Sequence, residues 1–150
     1  MKKILATIDG SKISPQVLEK AVDISRHYGS EVTLLKVTEV PTDANYTDYK
    51  VYISDSFSAG RKKVVKEKLE ADRKLLDAIV SNTDTTGVNI EKKVMPGIPY
   101  EQILRIAKEG NYDLIIMGRR GLTSLRRFFV GSVTQTVIAE APCAVLVVRE

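Results

Sequence analysis

The sequence predicts a single α/β domain, an open, doubly wound parallel sheet of five strands with helices on both faces. Three observations carry this. Short apolar runs of strand length alternate along the chain with longer stretches of helical period. The first run, Lys3 to Ile8, and the fourth, Leu114 to Met117, lack polar alternation, as strands covered on both faces do. At 150 residues, 43% hydrophobic and 28% charged, the chain has the size and composition of one globular domain spanning residues 1–150.

Taken in order, Lys3 to Ile8 is the first strand. Ser11 or Ser14 is placed to cap the helix that follows, and Pro15 suits its first turn. Val17, Leu18, Ala21, Ile24, Ser25 and Tyr28 make its inner stripe, and Gly29 ends it. Val32 to Thr38 is the second strand. Residues 41–60 show neither period and are long for a connection inside a compact domain. They hold Tyr46, Tyr49, Tyr52 and Phe57, four of the nine aromatics, which argues against a disordered linker. This stretch is expected to fold back on a ligand, a partner subunit or its own domain.

Arg61 to Ser81 is the clearest helix, with Val64, Val65, Leu69, Leu75, Leu76, Ile79 and Val80 inward and a mixed-charge, solvated outer face. Val88 to Met95 reads as the third strand, its weak apolar pattern and Lys92–Lys93 suiting a sheet edge. A turn from Pro96 to Pro99 leads into a helix with Ile103, Leu104, Ile106 and Ala107 inside, closed by Gly110. The fourth strand follows, and a helix starts at Ser132 with Val133, Val137 and Ile138 on one face. Ala144 to Val148, uninterrupted and apolar, is the fifth strand. An apolar edge with free amides invites pairing, so a homodimer through this strand is expected.

Between the fourth strand and the last helix lies Gly118-Arg119-Arg120-Gly121, then nine residues, then Gly131-Ser132. Glycine permits positive φ and close approach of the main chain to a ligand. The first amides of a helix are unpaired and attract anions, and Ser132 adds a hydroxyl there. The charge pattern agrees. Lys and Arg total 23 against 19 Asp and Glu, and setting aside Arg119, Arg120, Arg126 and Arg127 leaves the signs balanced. No acidic residue lies between Asp113 and Glu140. Phosphate binding by this loop is therefore expected. Asp9, ending the first strand, either accepts hydrogen bonds from ribose hydroxyls or opens a turn or helix.

The spacing Gly118-x-x-Gly121-x9-Gly131-Ser132 is similar to the nucleotide-binding signature of the universal stress protein family. Asp9-Gly10-Ser11, Val94-Met95-Pro96-Gly97 with Ile103 after it, and Pro142 before the last Val-rich strand also resemble that family, so the resemblance covers essentially the whole chain. It implies a Rossmann-like sheet of order 3-2-1-4-5, which sets Asp9 and Gly118 at one crevice, where ligands of such sheets sit. It implies ATP as the ligand, with the Val37 main chain on the adenine edge and Met117 and Gly118 along sugar and base. Gly121, Gly131, Ser132 and Val133 would wrap the phosphates, with Arg119 and its neighbouring arginines adding attraction. It implies the homodimer as well.

The expected function is an ATP-binding stress-response regulator, a homodimeric nucleotide-dependent switch. The alternatives are an interaction module with a vestigial pocket and a slow ATPase. No Gly-x-x-x-x-Gly-Lys-Ser/Thr loop and no Gly-x-Gly-x-x-Gly after a strand is present. Phosphoryl transfer needs a positioned metal, and Asp9 alone makes a weak Mg²⁺ site, so no enzyme is expected. A phosphate-accepting receiver is set aside, since Met95 and Arg149 stand where such domains need Asp and Lys. Phe128 and Phe129 fit packing better than nucleic-acid stacking. One cysteine, Cys143, excludes an internal disulfide, and no apolar run reaches signal-peptide or spanning length, so a cytoplasmic location is expected.

Overall fold

The computed structural model describes residues 1–40, 59–119 and 130–150. The aromatic stretch with Tyr46, Tyr49, Tyr52 and Phe57 lies outside the described residues, as do Arg120, Gly121 and the residues from there to Phe129. The elements are β1 (Lys3–Ile8), α1 (Ser14–Tyr28), β2 (Glu31–Thr38), α2 (Ala59–Ser81), β3 (Ile90–Pro96), α3 (Pro99–Glu109), β4 (Leu114–Gly118), α4 (Ser132–Glu140) and β5 (Ala144–Val148).

All five strands are parallel, in the order β3-β2-β1-β4-β5. β1 is the hinge of this order. The chain runs outward from it to β2 and β3, then returns to its other side for β4 and β5. Helices cover both faces. α1 and α2 pack on one through Leu18, Val22, Leu76 and Ile79, meeting Ile4, Ala6, Leu34 and Ile116. α3 and α4 pack on the other through Ile103, Ile106 and Val137, meeting Leu5, Leu35, Ile115 and Met117. Ile4 to Ile8 are all buried, as continuous apolar strands of a two-sided sheet should be.

Several local expectations change. Neither serine caps α1. Ile13 holds the cap position, Ser14 is the first helical residue, and its Oγ accepts from the Gly10 amide at 3.1 Å. Tyr28 is 58% exposed and lies edge-on to His27 instead of inward, while Val22, absent from the expected stripe, is 1% exposed. The true stripe follows the 3.6-residue period through Val17, Leu18, Ala21, Val22 and Ser25. Val64 and Ile138 are exposed large hydrophobics. β3 starts at Ile90, two residues later than expected, because Val88 is taken into a turn by its amide bond to the Thr85 carbonyl.

The turn after β3 matters for the site. Gly97 has φ +142°, and its amide donates to the Thr38 carbonyl at 3.0 Å, fastening the end of β2. A Cβ here would stand 2.9 Å from Nε2 of the buried Gln102, whose Oε1 accepts from Arg105. Gly87, with φ +78°, has open space around it. Gly97→Ala is therefore expected to lose about 1–3 kcal/mol of stability from strain plus the clash. Gly87→Ala should lose about 1 kcal/mol from backbone strain alone. Denaturant titration measures both, and equal losses would show that the Gln102 contact is immaterial.

Candidate functional site

A cavity of about 460 Å³ opens at the carboxyl ends of the strands. Its lining comes from the ends of β1, β2 and β4, the first turns of α1 and α4, and the middle of α2. β1 leaves the sheet after Ile8, which pairs with Lys36 of β2; β2 continues to Thr38, while β4 ends at Gly118, level with Ile8. At the exit, the Asp9 carboxylate accepts from the Ser11 amide at 2.9 Å and Gly10 adopts φ +86°. Of the two roles read for Asp9, the turn is formed, and the residue also lines the cavity.

On one flank of the vacated lane stands the start of α4. The Gln135 amide already bonds to the Gly131 carbonyl, and no side chain caps the helix. The amides of its first turn, from Ser132 to Thr134, are those a helix leaves without internal partners. They carry partial positive charge at the cavity wall. Thr134, buried, donates from Oγ1 to the Gly118 carbonyl at 2.9 Å and so clamps the helix start to the end of β4. Gly131 does not use positive φ. Its angles, −61° and 153°, are ordinary extended backbone. Its amide is also spent, donating to the Arg119 carbonyl at 2.8 Å, while the Arg119 amide donates to the Val148 carbonyl at 3.0 Å. The expected cup of amides therefore narrows, among the described residues, to the helix start, with Arg119 and Gly131 serving as braces.

On the other flank, β2 presents its main chain. The Thr38 carbonyl points toward β3, where Gly97 bonds it. Strand main-chain groups alternate sides, so those of Val37 face the lane that β1 has left. The Val37 carbonyl there accepts from Lys36 Nζ at 2.9 Å. Lys36 also pairs with Asp72 of α2 at 3.3 Å, their side chains only 13% and 18% exposed. Thr38 Oγ1 donates to the same Asp72 oxygen at 2.6 Å.

Of the residues read from sequence, Asp9, Val37, Met117, Gly118, Gly131, Ser132 and Val133 line this one cavity. Arg119 does not; its amide and carbonyl are engaged in the brace to Val148 and Gly131. Gly121 lies outside the described residues. Sequence reading missed Lys36, Thr38, Lys68, Asp72 and Thr134, all of which line the cavity. Lys36 left a signal, as the one charge inside the apolar run from Val32 to Val37. Lys68 and Asp72 left none, since the outer face of a charged helix looks the same whether it meets water or a cavity. Cys143 lies apart from the cavity, and burial and then the Asp113 charge push its thiol up.

Thr134→Val keeps the shape and removes the donor. It is expected to cost about 1–3 kcal/mol by leaving the Gly118 carbonyl without its partner, with Thr134→Ser close to the parent. Thermal denaturation of the pair tests the clamp, and a valine variant as stable as the parent would refute it.

Comparison with known proteins gives consistent relatives. The model of the universal stress protein family matches residues 1–149. Universal stress protein Sll1388 of Synechocystis is 33% identical over 98% of this chain and 97% of its own. Among solved structures, the universal stress protein UspA from Lactobacillus plantarum superposes with a TM-score of 0.74, at 25% identity, over 99% of this chain and 97% of that one. The universal stress protein from Archaeoglobus fulgidus in complex with dAMP has a TM-score of 0.56 at 21% identity, over 98% and 96% of the two chains, a likeness of fold.

Proposed function

This chain belongs to the universal stress protein family, and from that membership we propose that its cavity binds an adenine nucleotide, ATP in the first place. The observation that carries the reading is the pairing of two unlike ends across the lane left by β1. At one end the uncapped start of α4 offers amides to an anion. At the other the Val37 carbonyl, beyond the end of β1, offers an acceptor to a planar edge. Strands lie about 4.8 Å apart, so the two flanks of β1 stand about 10 Å from each other. That span suits a nucleoside lying across β1 with its phosphates at α4. Asp9, between them, is placed for the ribose, one carboxylate oxygen remaining beyond its turn. The Archaeoglobus relative that holds dAMP lends the same ligand class.

Ser132 and Val133 then meet the phosphates, while Met117 and Gly118 flank the sugar. Any Mg²⁺ would ride with the phosphates. No group of three His, Cys, Asp or Glu placed to hold a metal occurs among the described residues. The protein is read as a binding regulator in which occupancy is the signal, with hydrolysis slow at most. β5 stands at the sheet edge with Val145 to Val148 half-buried, and a second copy covering that edge is proposed as the homodimer.

Three measurements test this. Gly131→Val should fold normally, since φ −61° and ψ 153° suit any residue. It should weaken ATP binding by about a hundredfold by crowding the phosphate approach; unchanged affinity in a titration would show that the loop is not the site. Purified protein should sediment as a dimer at micromolar concentration, and a monomeric mass would end the edge-pairing proposal. Rapid multiple turnover of ATP would overturn the reading as a non-enzyme.

A further inference from the structure

Between its two flanks the cavity is bounded by the exit of β1, and the side chain there is the Asp9 carboxylate. One of its oxygens accepts from the Ser11 amide at 2.9 Å, and Asp9 has no ion pair and no further hydrogen bond among the described residues. The turn holds it in place. Gly10 has φ +86°, and its amide donates to Ser14 Oγ at 3.1 Å. The carboxylate cannot swing aside without giving up the Ser11 bond. The Ser14 amide is bonded as well, to the Ser11 carbonyl at 3.0 Å, and Pro15 has none. Where α4 offers open amides, this turn offers a fixed negative charge beside amides already spent.

The charges of the lining are sorted in the same way. Asp9, Glu39 and Asp72 stand against Lys36 and Lys68. Both lysines belong to the β2 and α2 side, and Lys36 is paired with Asp72 at 3.3 Å. An anion is therefore attracted at the start of α4 and opposed over β1. That contrast separates nucleotides by which sugar oxygen carries phosphate. With the sugar over Asp9, phosphates on the 5′ oxygen extend to α4, and a free 3′-hydroxyl donates to the unbonded Asp9 oxygen. Esterifying the 3′ oxygen turns that donor into an acceptor. It also sets a second negative charge against a carboxylate that has no cation of its own.

We propose that Asp9 is a specificity-determining residue that restricts the site to nucleotides phosphorylated on the 5′ oxygen alone, and rejects those whose 3′ oxygen bears phosphate, free or cyclised. The proposal rests on the nucleotide reading above and deepens it by naming the class of nucleotide.

Two isomers test it. ADP and adenosine 3′,5′-bisphosphate contain the same atoms and differ in whether the second phosphate extends the 5′ chain or sits on the 3′ oxygen. Calorimetric titration of the wild-type protein should show ADP bound at least about tenfold more tightly. Asp9→Asn keeps a side-chain acceptor for the Ser11 amide and removes the charge. In that variant the bisphosphate should bind more tightly than it does to wild type, and the preference for ADP should fall at least about fivefold. A merely structural role for Asp9 would weaken both isomers alike and leave the ratio unmoved. Asp9→Ser, which also keeps a turn acceptor without charge, should show the same fall and serves if the asparagine variant does not fold. A wild-type preference below about tenfold, or a ratio that neither variant moves, overturns the role of Asp9 and leaves nucleotide binding standing. Failure of the wild-type protein to bind ATP or ADP overturns the nucleotide reading and this proposal with it.

Discussion

The early departure of β1 from the sheet is the constraint on which the rest depends. β1 is the central strand, buried along its length and paired on both sides. Parallel pairing needs crossovers, and right-handed crossovers on either side of β1 put α1 and α2 on one face and α3 and α4 on the other. Once β1 turns away at Asp9 and Gly10, β2 runs on past it to Thr38 on one side, and on the other β4 ends at Gly118 and gives way to the start of α4. A cavity at this place is a result of topology, before any side chain is considered. The side chains then decide what it receives.

Two kinds of rigidity shape those flanks. The α4 side is braced by main-chain bonds, Gly131 to Arg119 and Arg119 to Val148, with one side chain, Thr134, closing the gap to Gly118. The β2 side is braced by charge, Lys36 against Asp72, in partial burial where an ion pair is screened less than on the surface. Removing one partner of such a pair costs more than the pair contributes, because the other charge stays behind. The two flanks therefore tolerate change differently, backbone bracing being indifferent to most side chains and charge bracing being sensitive to single ones.

Much of this was legible in the residues. Continuous apolar runs marked the buried strands, and the glycine spacing marked the loop between β4 and α4. What sequence could not supply was the partner of each polar group. Ser14 reads as a cap, yet its hydroxyl is drawn to the Gly10 amide because the chain turns sharply after β1. Gly131 reads as a residue needing unusual φ or offering an amide, and it does neither, since the brace to Arg119 uses the amide in extended backbone. Asp72 is one carboxylate among many on a charged helix. Only the position of α2 over the end of β2 sets it apart. The strand order came from resemblance, since an alternating pattern of elements is compatible with several orders, and the sheet has the order so implied.

The bond from Arg119 to Val148 joins the stem of the glycine loop to the outermost strand. Whatever grips that strand from outside holds one anchor of the loop as well, with no intervening side chain to soften the linkage. A second copy covering that strand, as proposed, would thereby be tied to the shape of the pocket through a single stretch of backbone.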